Sequence, residues 1–172
     1  CMSSPGLGHN LGAVRDGTKR RVQGLGYSID NDNASYDGLV TVTSGSCFSD
    51  NGVPMNSPVD FNKNLTTWGQ GNGVAFGGMA SAVTVAANTW YYTFLILNPI
   101  NGDVDIVFDD NVTGANISSL VFTEQRIVGA FKTKGAGTHS SFFILEMYSN
   151  GDTTYINPSD LSTGLAISAG ST

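Results

Sequence analysis

Four Asn-Gly pairs punctuate this chain, at Asn51-Gly52, Asn72-Gly73, Asn101-Gly102 and Asn150-Gly151, and they constrain its fold more than any other feature. Both residues tolerate positive φ, so the pair suits tight turns whose twist matches that of two paired strands. The runs between the pairs read as strands. Leu39-Val40-Thr41-Val42-Thr43 alternates apolar and hydroxyl residues, as a half-buried strand does. Trp90 to Leu97 (WYYTFLIL) is short, aromatic and apolar on both faces, which predicts a central strand. Asp103 to Phe108 places Val104, Ile106 and Phe108 on one face and Asp103 and Asp105 on the other. Arg126 to Phe131, Ser141 to Tyr148 and Thr153 to Ile156 supply further strands. No segment sustains a helical period. Phe61, Leu65 and Trp68 have helical spacing, but the Asn and Thr between them are weak helix formers, so a short helix and an irregular strand are both open there. The expected fold class is all-β, an antiparallel β-sandwich or jelly-roll-like domain over residues 25–158. An extended arm, 1–24, precedes it, and a tail or edge strand, 159–172, follows.

Composition narrows the function. Only 13% of the residues are charged, against roughly 25% in an ordinary soluble domain, and 22 are glycine. A surface of hydroxyls, amides and glycine suits an extracellular or particle-bound protein better than a cytoplasmic enzyme. The net charge of -6 is uneven, because the arm carries Arg15, Lys19, Arg20 and Arg21 against Asp16 alone. The body is therefore acidic, which argues against nucleic acid as a partner. The arm is too polar to pack a core by itself; its basic residues are expected either to dock on an acidic neighbouring subunit or to form a solvated flexible tail, with assembly the reading taken forward. No run approaches the ~20 apolar residues of a membrane-spanning helix. The cysteines are Cys1 and Cys47, too few for a zinc site, with Cys47 expected as a small buried residue. Cys1 also fits the lipidated first residue of a bacterial lipoprotein.

Catalytic patterns are weak. His9 and His139 both fall in glycine-rich loops, and no Gly-x-Ser-x-Gly elbow accompanies them. Glu146 shares a predicted face with Phe142, Ile144 and Tyr148. A buried carboxylate there would need a partner, with Arg126 the expected one, and the competing role is a glycosidase acid. Asp30-Asn31-Asp32-Asn33, and Asp103 and Asp105 with Asp109-Asp110, are candidate calcium ligands, although no EF-hand spacing is present. No other cofactor and no catalytic residue is expected. Trp68, beside the Gly69-Gln70-Gly71-Asn72-Gly73 loop, is the aromatic best placed to be exposed.

From Tyr27 to Asn157 the chain resembles a β-domain of bacteriophage and prophage virion appendages, the tail-fibre or head-fibre associated proteins. The resemblance rests on an ordered set of segments. Gly26-Tyr27-Ser28-Ile29-Asp30-Asn31-Asp32 leads to Leu39-Val40-Thr41-Val42, the Gly45-Ser46-Cys47 turn and Ser49-Asp50. Leu65-Thr66-Thr67-Trp68 precedes a loop containing Gly77-Gly78. Thr89 to Ile96, Gly102 to Phe108 and Arg126-Ile127-Val128-Gly129 complete it. Phe48 and Gln125 depart from the pattern, which weakens any inherited surface function. The resemblance implies a structural virion protein that is not an enzyme, a homotrimer bound to other virion subunits, and located in the extracellular particle. Contact with a host surface glycan or protein would fall on Trp68, Gln70, Asn72 and Phe76 in one loop and Thr138 and His139 in another. The rival readings are a cell-surface carbohydrate-binding or adhesive module and, less favoured, a glycan-degrading enzyme.

Overall fold

The computed structural model describes residues 22–117, 121–136 and 142–149, the last eight and residue 136 by their backbone. Eleven strands and no helix occur among the described residues, so the chain is all-β. In chain order they are β1 (Gln23–Gly24), β2 (Tyr27–Asp30), β3 (Leu39–Val42), β4 (Gly45–Phe48), β5 (Pro54–Ser57) and β6 (Phe61–Thr67). Then follow β7 (Gly77–Met79), β8 (Trp90–Leu97), β9 (Val104–Asp109), β10 (Glu124–Ala136) and β11 (Phe142–Ser149). A large sheet has the order β11-β10-β8-β9-β7-β6-β3-β2, and a small one the order β1-β4-β5.

The turn residues act where they were expected to at two of the pairs. Asn101-Gly102 closes the β8–β9 hairpin, with Leu97 opposite Val104 and Gly102 at φ 79°. Asn51-Gly52 closes β4–β5, with Gly52 at φ 82° donating its N–H to the Ser49 carbonyl. Asn72-Gly73 instead sits inside the long loop between β6 and β7. Phe61, Leu65 and their neighbours form a strand, because Phe61 and Leu65 both bury on it while the flanking polar residues bond across to β3.

Two expectations are corrected here. The sheet is mixed rather than wholly antiparallel: β7 runs parallel to both β6 and β9. The cause is the loop after β6, which carries the chain back to start a new strand in the same direction instead of turning it into a hairpin. Gln23 and Gly24, assigned to the arm, also belong to the folded body, since β1 pairs with β4. That pairing continues the β2–β3 register, Tyr27 opposite Val42 and Gln23 opposite Ser46, with Leu25 at φ 56° between the two stretches. One strand pair thus passes from the large sheet into the small one, which is how two layers share a corner.

The large sheet curls. β2 and β8 lie far apart in the strand order, yet the buried Tyr27 hydroxyl meets Thr93 Oγ1 at 2.5 Å. The core inside the curl joins Val40, Leu95, Ile106, Phe108 and Phe131 to Cys47 and Met55 of the small sheet. Phe108 and Phe131 meet edge to face, with ring centroids 5.1 Å apart. On the opposite face of β8 and β9, Phe94, Ile96 and Val107 pack under Ile117 and Phe122. From Thr93 to Leu97 both faces of the run are therefore covered, which is why it has little polar alternation, while Trp90 stays exposed and Tyr92 half-buried. Burial pushes the Cys47 thiol up to about 11. In a Cys1→Ser variant, a thiol reagent at neutral pH is therefore expected to label the native protein far more slowly than the unfolded one, read as the ratio of the two rates.

Candidate functional site

Two surface features carry chemistry, and the first is the loop between β6 and β7. β6 alternates so that Lys63, between Phe61 and Leu65, points inward. Its side chain is 0% exposed and meets Asp105, 1% exposed, with Nζ 3.0 Å from Oδ1 and 3.1 Å from Oδ2. This corrects the expectation that Asp105 faces away from the core. Val107 on the same side of β9 is buried too, so that face is covered throughout. The pair is tied to the loop above it. Lys63 Nζ donates to the Gly69 carbonyl at 2.6 Å, and the Gly71 N–H donates to Asp105 Oδ2 at 3.1 Å. The ammonium also lies 5.5 Å from the Trp68 ring centre and 5.8 Å from that of Phe76, within cation–π range. Burial lowers the Lys63 pKa and raises that of Asp105, each opposed by the charge of its partner.

The rest of the loop is held by its own side chains. Trp68 is half-buried, its indole N–H donating to the Ile106 carbonyl at 3.0 Å and its ring edge-on to Phe122. It serves the core rather than an exposed platform. Gln70 donates to Asp103 Oδ2 at 3.0 Å. Asn72 accepts from the Asn62 N–H at 2.8 Å and donates to the Asp60 carbonyl at 2.5 Å. Phe76 is 38% exposed, and Gly69, Gly71 and Gly73 all turn their Cα hydrogens toward its ring. At Gly71, with φ 133°, a Cβ would stand 2.6 Å from the ring, so only glycine allows this approach. Of the residues expected to meet a receptor, Trp68, Gln70, Asn72 and Phe76 thus share one loop, and Trp68, Gln70 and Asn72 tie it to Ile106, Asp103 and Asp60 in neighbouring segments. Thr138 and His139 lie outside the described residues, as do Arg15, Lys19, Arg20 and Arg21.

The second feature is a groove over β10, between the 49–52 turn and the 110–117 loop. Both walls are fixed to the floor. The Asp50 N–H donates to the Gln125 carbonyl at 3.0 Å, and Gln125 Nε2 donates to the Thr113 carbonyl at 3.0 Å. Arg126 bonds Asp50 Oδ1 at 3.2 Å. The partner shown for Arg126 is thus Asp50; Glu146, expected to pair with it, is described only by its backbone, which lies opposite Lys132. Glu124 accepts from Ser49 Oγ at 2.5 Å and from Asn51 Nδ2 at 3.3 Å. One concavity of about 340 Å³ runs over Tyr92, Val112, Ile127, Gly129 and Ala130, and another of about 540 Å³ over Thr113, Phe122 and Gln125. Both reach Asp50. The β8–β10 register shifts between Ile127 and Gly129, a bulge set in the groove floor.

The proposed calcium ligands serve their own turns. Asp30 Oδ1 accepts from the Asp32 N–H, and Asn33 Oδ1 from the N–H groups of Ser35 and Tyr36. Asp109 accepts from the N–H groups of Asn111 and Asn116. Among the described residues no three His, Cys, Asp or Glu side chains converge on a point where a metal could sit.

Neither the Lys63–Asp105 pair nor the groove was anticipated from the sequence. A signal for Lys63 was present, since it falls on the same strand face as Phe61 and Leu65 in a chain with only eight Lys and Arg, whereas the alternation around Asp105 pointed the other way. The groove left no such signal, since its residues come from four separate segments. Compared with family models, with curated proteins and with solved structures, the chain gives no match. No helix among the described residues is long and apolar enough to cross a membrane.

Proposed function

We propose that this chain is a structural β-domain of a bacteriophage virion appendage, a fibre or capsid-associated module without catalytic activity. The observation that carries this reading is how the polar groups of its most prominent loop are used. Lys63 and Asp105 bond to each other and to the loop backbone, Gln70 bonds the Asp103 carboxylate and Asn72 bonds the Asp60 carbonyl, holding the loop's shape. That arrangement suits a part whose task is to keep a fixed form. The sparse charge and the resemblance to virion β-domains support the same reading. In this proposal the chain is a homotrimer, the basic residues Arg15, Lys19, Arg20 and Arg21 dock on acidic neighbouring subunits, and the opposite end faces the host.

The test is native mass measurement of the full chain, with cross-links mapped from Lys19. A trimer or larger array, with Lys19 joined to another chain, is expected. A monomer whose Lys19 joins only to its own chain would overturn the proposal.

A further inference from the structure

The geometry points to the groove over β10 as a binding site for a neutral saccharide, with Asp50 and Arg126 as its hydrogen-bonding pair and Tyr92 as its ring contact. This goes beyond the structural role proposed above and stands independently of it. It also moves the expected receptor contact away from Trp68 and its loop.

The shape is built before any ligand arrives. The turn bearing Asp50 and the loop bearing Val112 and Thr113 are each hydrogen-bonded to β10, so the walls do not have to be ordered on binding. The floor gets its depth from the bulge. It sends Val128 into the core and leaves Gly129 and Ala130, which have little or no side chain, beside the half-buried Tyr92 on the neighbouring strand. The two concavities each fall within the ~300–1,000 Å³ of small-ligand sites, and they meet at Asp50. Two adjoining subsites sharing one carboxylate match a chain of sugar rings better than a single compact ligand.

The chemistry selects the class. Asp50 is 59% exposed, and its pairing with Arg126 uses Oδ1. A carboxylate and a guanidinium side by side present acceptors and donors at the spacing of vicinal hydroxyls, each of which both donates and accepts. Tyr92 and Val112 offer apolar surface for the C–H face of a pyranose. Charge excludes the acidic alternatives. Asp50 and Glu124 outnumber Arg126 beside the groove, in a chain of net charge -6, so sialylated, uronate or phosphate-bearing glycans are repelled.

The test is saturation-transfer NMR and titration of the full chain with soluble oligomers of glucose, galactose, mannose and N-acetylglucosamine. Sialyllactose serves as the acidic control. Binding of at least one neutral oligomer is expected, weakened about tenfold or more by Asp50→Asn and by Arg126→Gln. Val112→Trp, on an exposed loop residue, is expected to block the site without altering the fold. Gln70→Ala, in the other loop, should leave binding unchanged. The exposed ion pair contributes only about 0–1 kcal/mol to stability, so thermal unfolding of the Asp50 and Arg126 variants checks that they remain folded. The proposal fails if no neutral oligomer binds, if only sialyllactose binds, or if binding survives all three groove variants.

Discussion

Replacing Lys63 by methionine is expected to destabilise the protein by about 3–5 kcal/mol at neutral pH, and acidification is expected to restore part of that loss. Methionine fills much of the same space, so the main effect is electrostatic. It strands the Asp105 carboxylate, 1% exposed, with the N–H groups of Gly71 and Ile106 as its hydrogen-bond donors. Burial already raises the Asp105 pKa, and the charge of Lys63 opposes that rise. Without Lys63 the folded-state value moves higher still. A carboxyl whose folded pKa lies above its unfolded one binds more protons when folded, so stability falls as pH rises from the unfolded value through the folded one. The variant should therefore be markedly more stable at about pH 5 than at about pH 7, whereas the parent changes less through this group. Urea unfolding of both proteins at the two pH values measures this. Equal losses at both would mean that the cost is packing and not stranded charge. The double variant Lys63→Met with Asp105→Leu should recover much of the loss, because exchanging a buried ion pair for apolar groups of similar volume is often neutral or stabilising.

The second large effect is expected at Gly77 and Gly78, in the short strand that makes the sheet mixed. A Cβ at Gly77 would stand 2.1 Å from the Thr67 carbonyl oxygen and 2.5 Å from that of Thr66. A Cβ at Gly78 would stand 2.3 Å from the Phe108 ring. Both distances lie well inside van der Waals contact, so one partner must move. At Gly78 the partner is an aromatic ring in the core; at Gly77 it is the backbone of β6 at Thr66 and Thr67, which is paired to β7 itself and cannot swing aside as a side chain does. Gly77→Ala is therefore expected to cost more than Gly78→Ala, and both at least the ~1–3 kcal/mol of an overpacked core site. Gly102→Ala is the comparison. A Cβ meets nothing within 4 Å there, and the cost is only that of holding alanine at φ 79°. Denaturant midpoints of the three variants should rank Gly77, Gly78 and Gly102 in order of decreasing loss. A Gly102 variant as unstable as the other two would remove crowding as the explanation.

These two sites also mark the division between what local sequence and what packing determine. The strands were legible because their signals are local. Side chains alternate along Leu39–Val42, aromatic and β-branched residues fill Trp90–Leu97, and Asn101-Gly102 imposes its turn wherever it occurs. The all-β class follows from those local preferences, and so does the burial of Cys47. Where local pattern misled, a distant segment had intervened. Trp68 looked available beside its glycines, but the Ile106 carbonyl and the Phe122 ring occupy it from other parts of the chain. Asp105 looked solvent-facing by alternation, yet β7 lies beside β9 and the Gly69–Gly73 loop covers that face.

By itself, then, the sequence determined the kind of element, the positions of two tight turns and the apolar surface to be buried, all properties of neighbouring residues. Only the tertiary structure decided the parallel placement of β7, the partner of Lys63 and the groove beneath Asp50. Each of these joins residues tens of positions apart, and whether such groups meet depends on how the sheet curls and what the loops cover, which no local preference encodes.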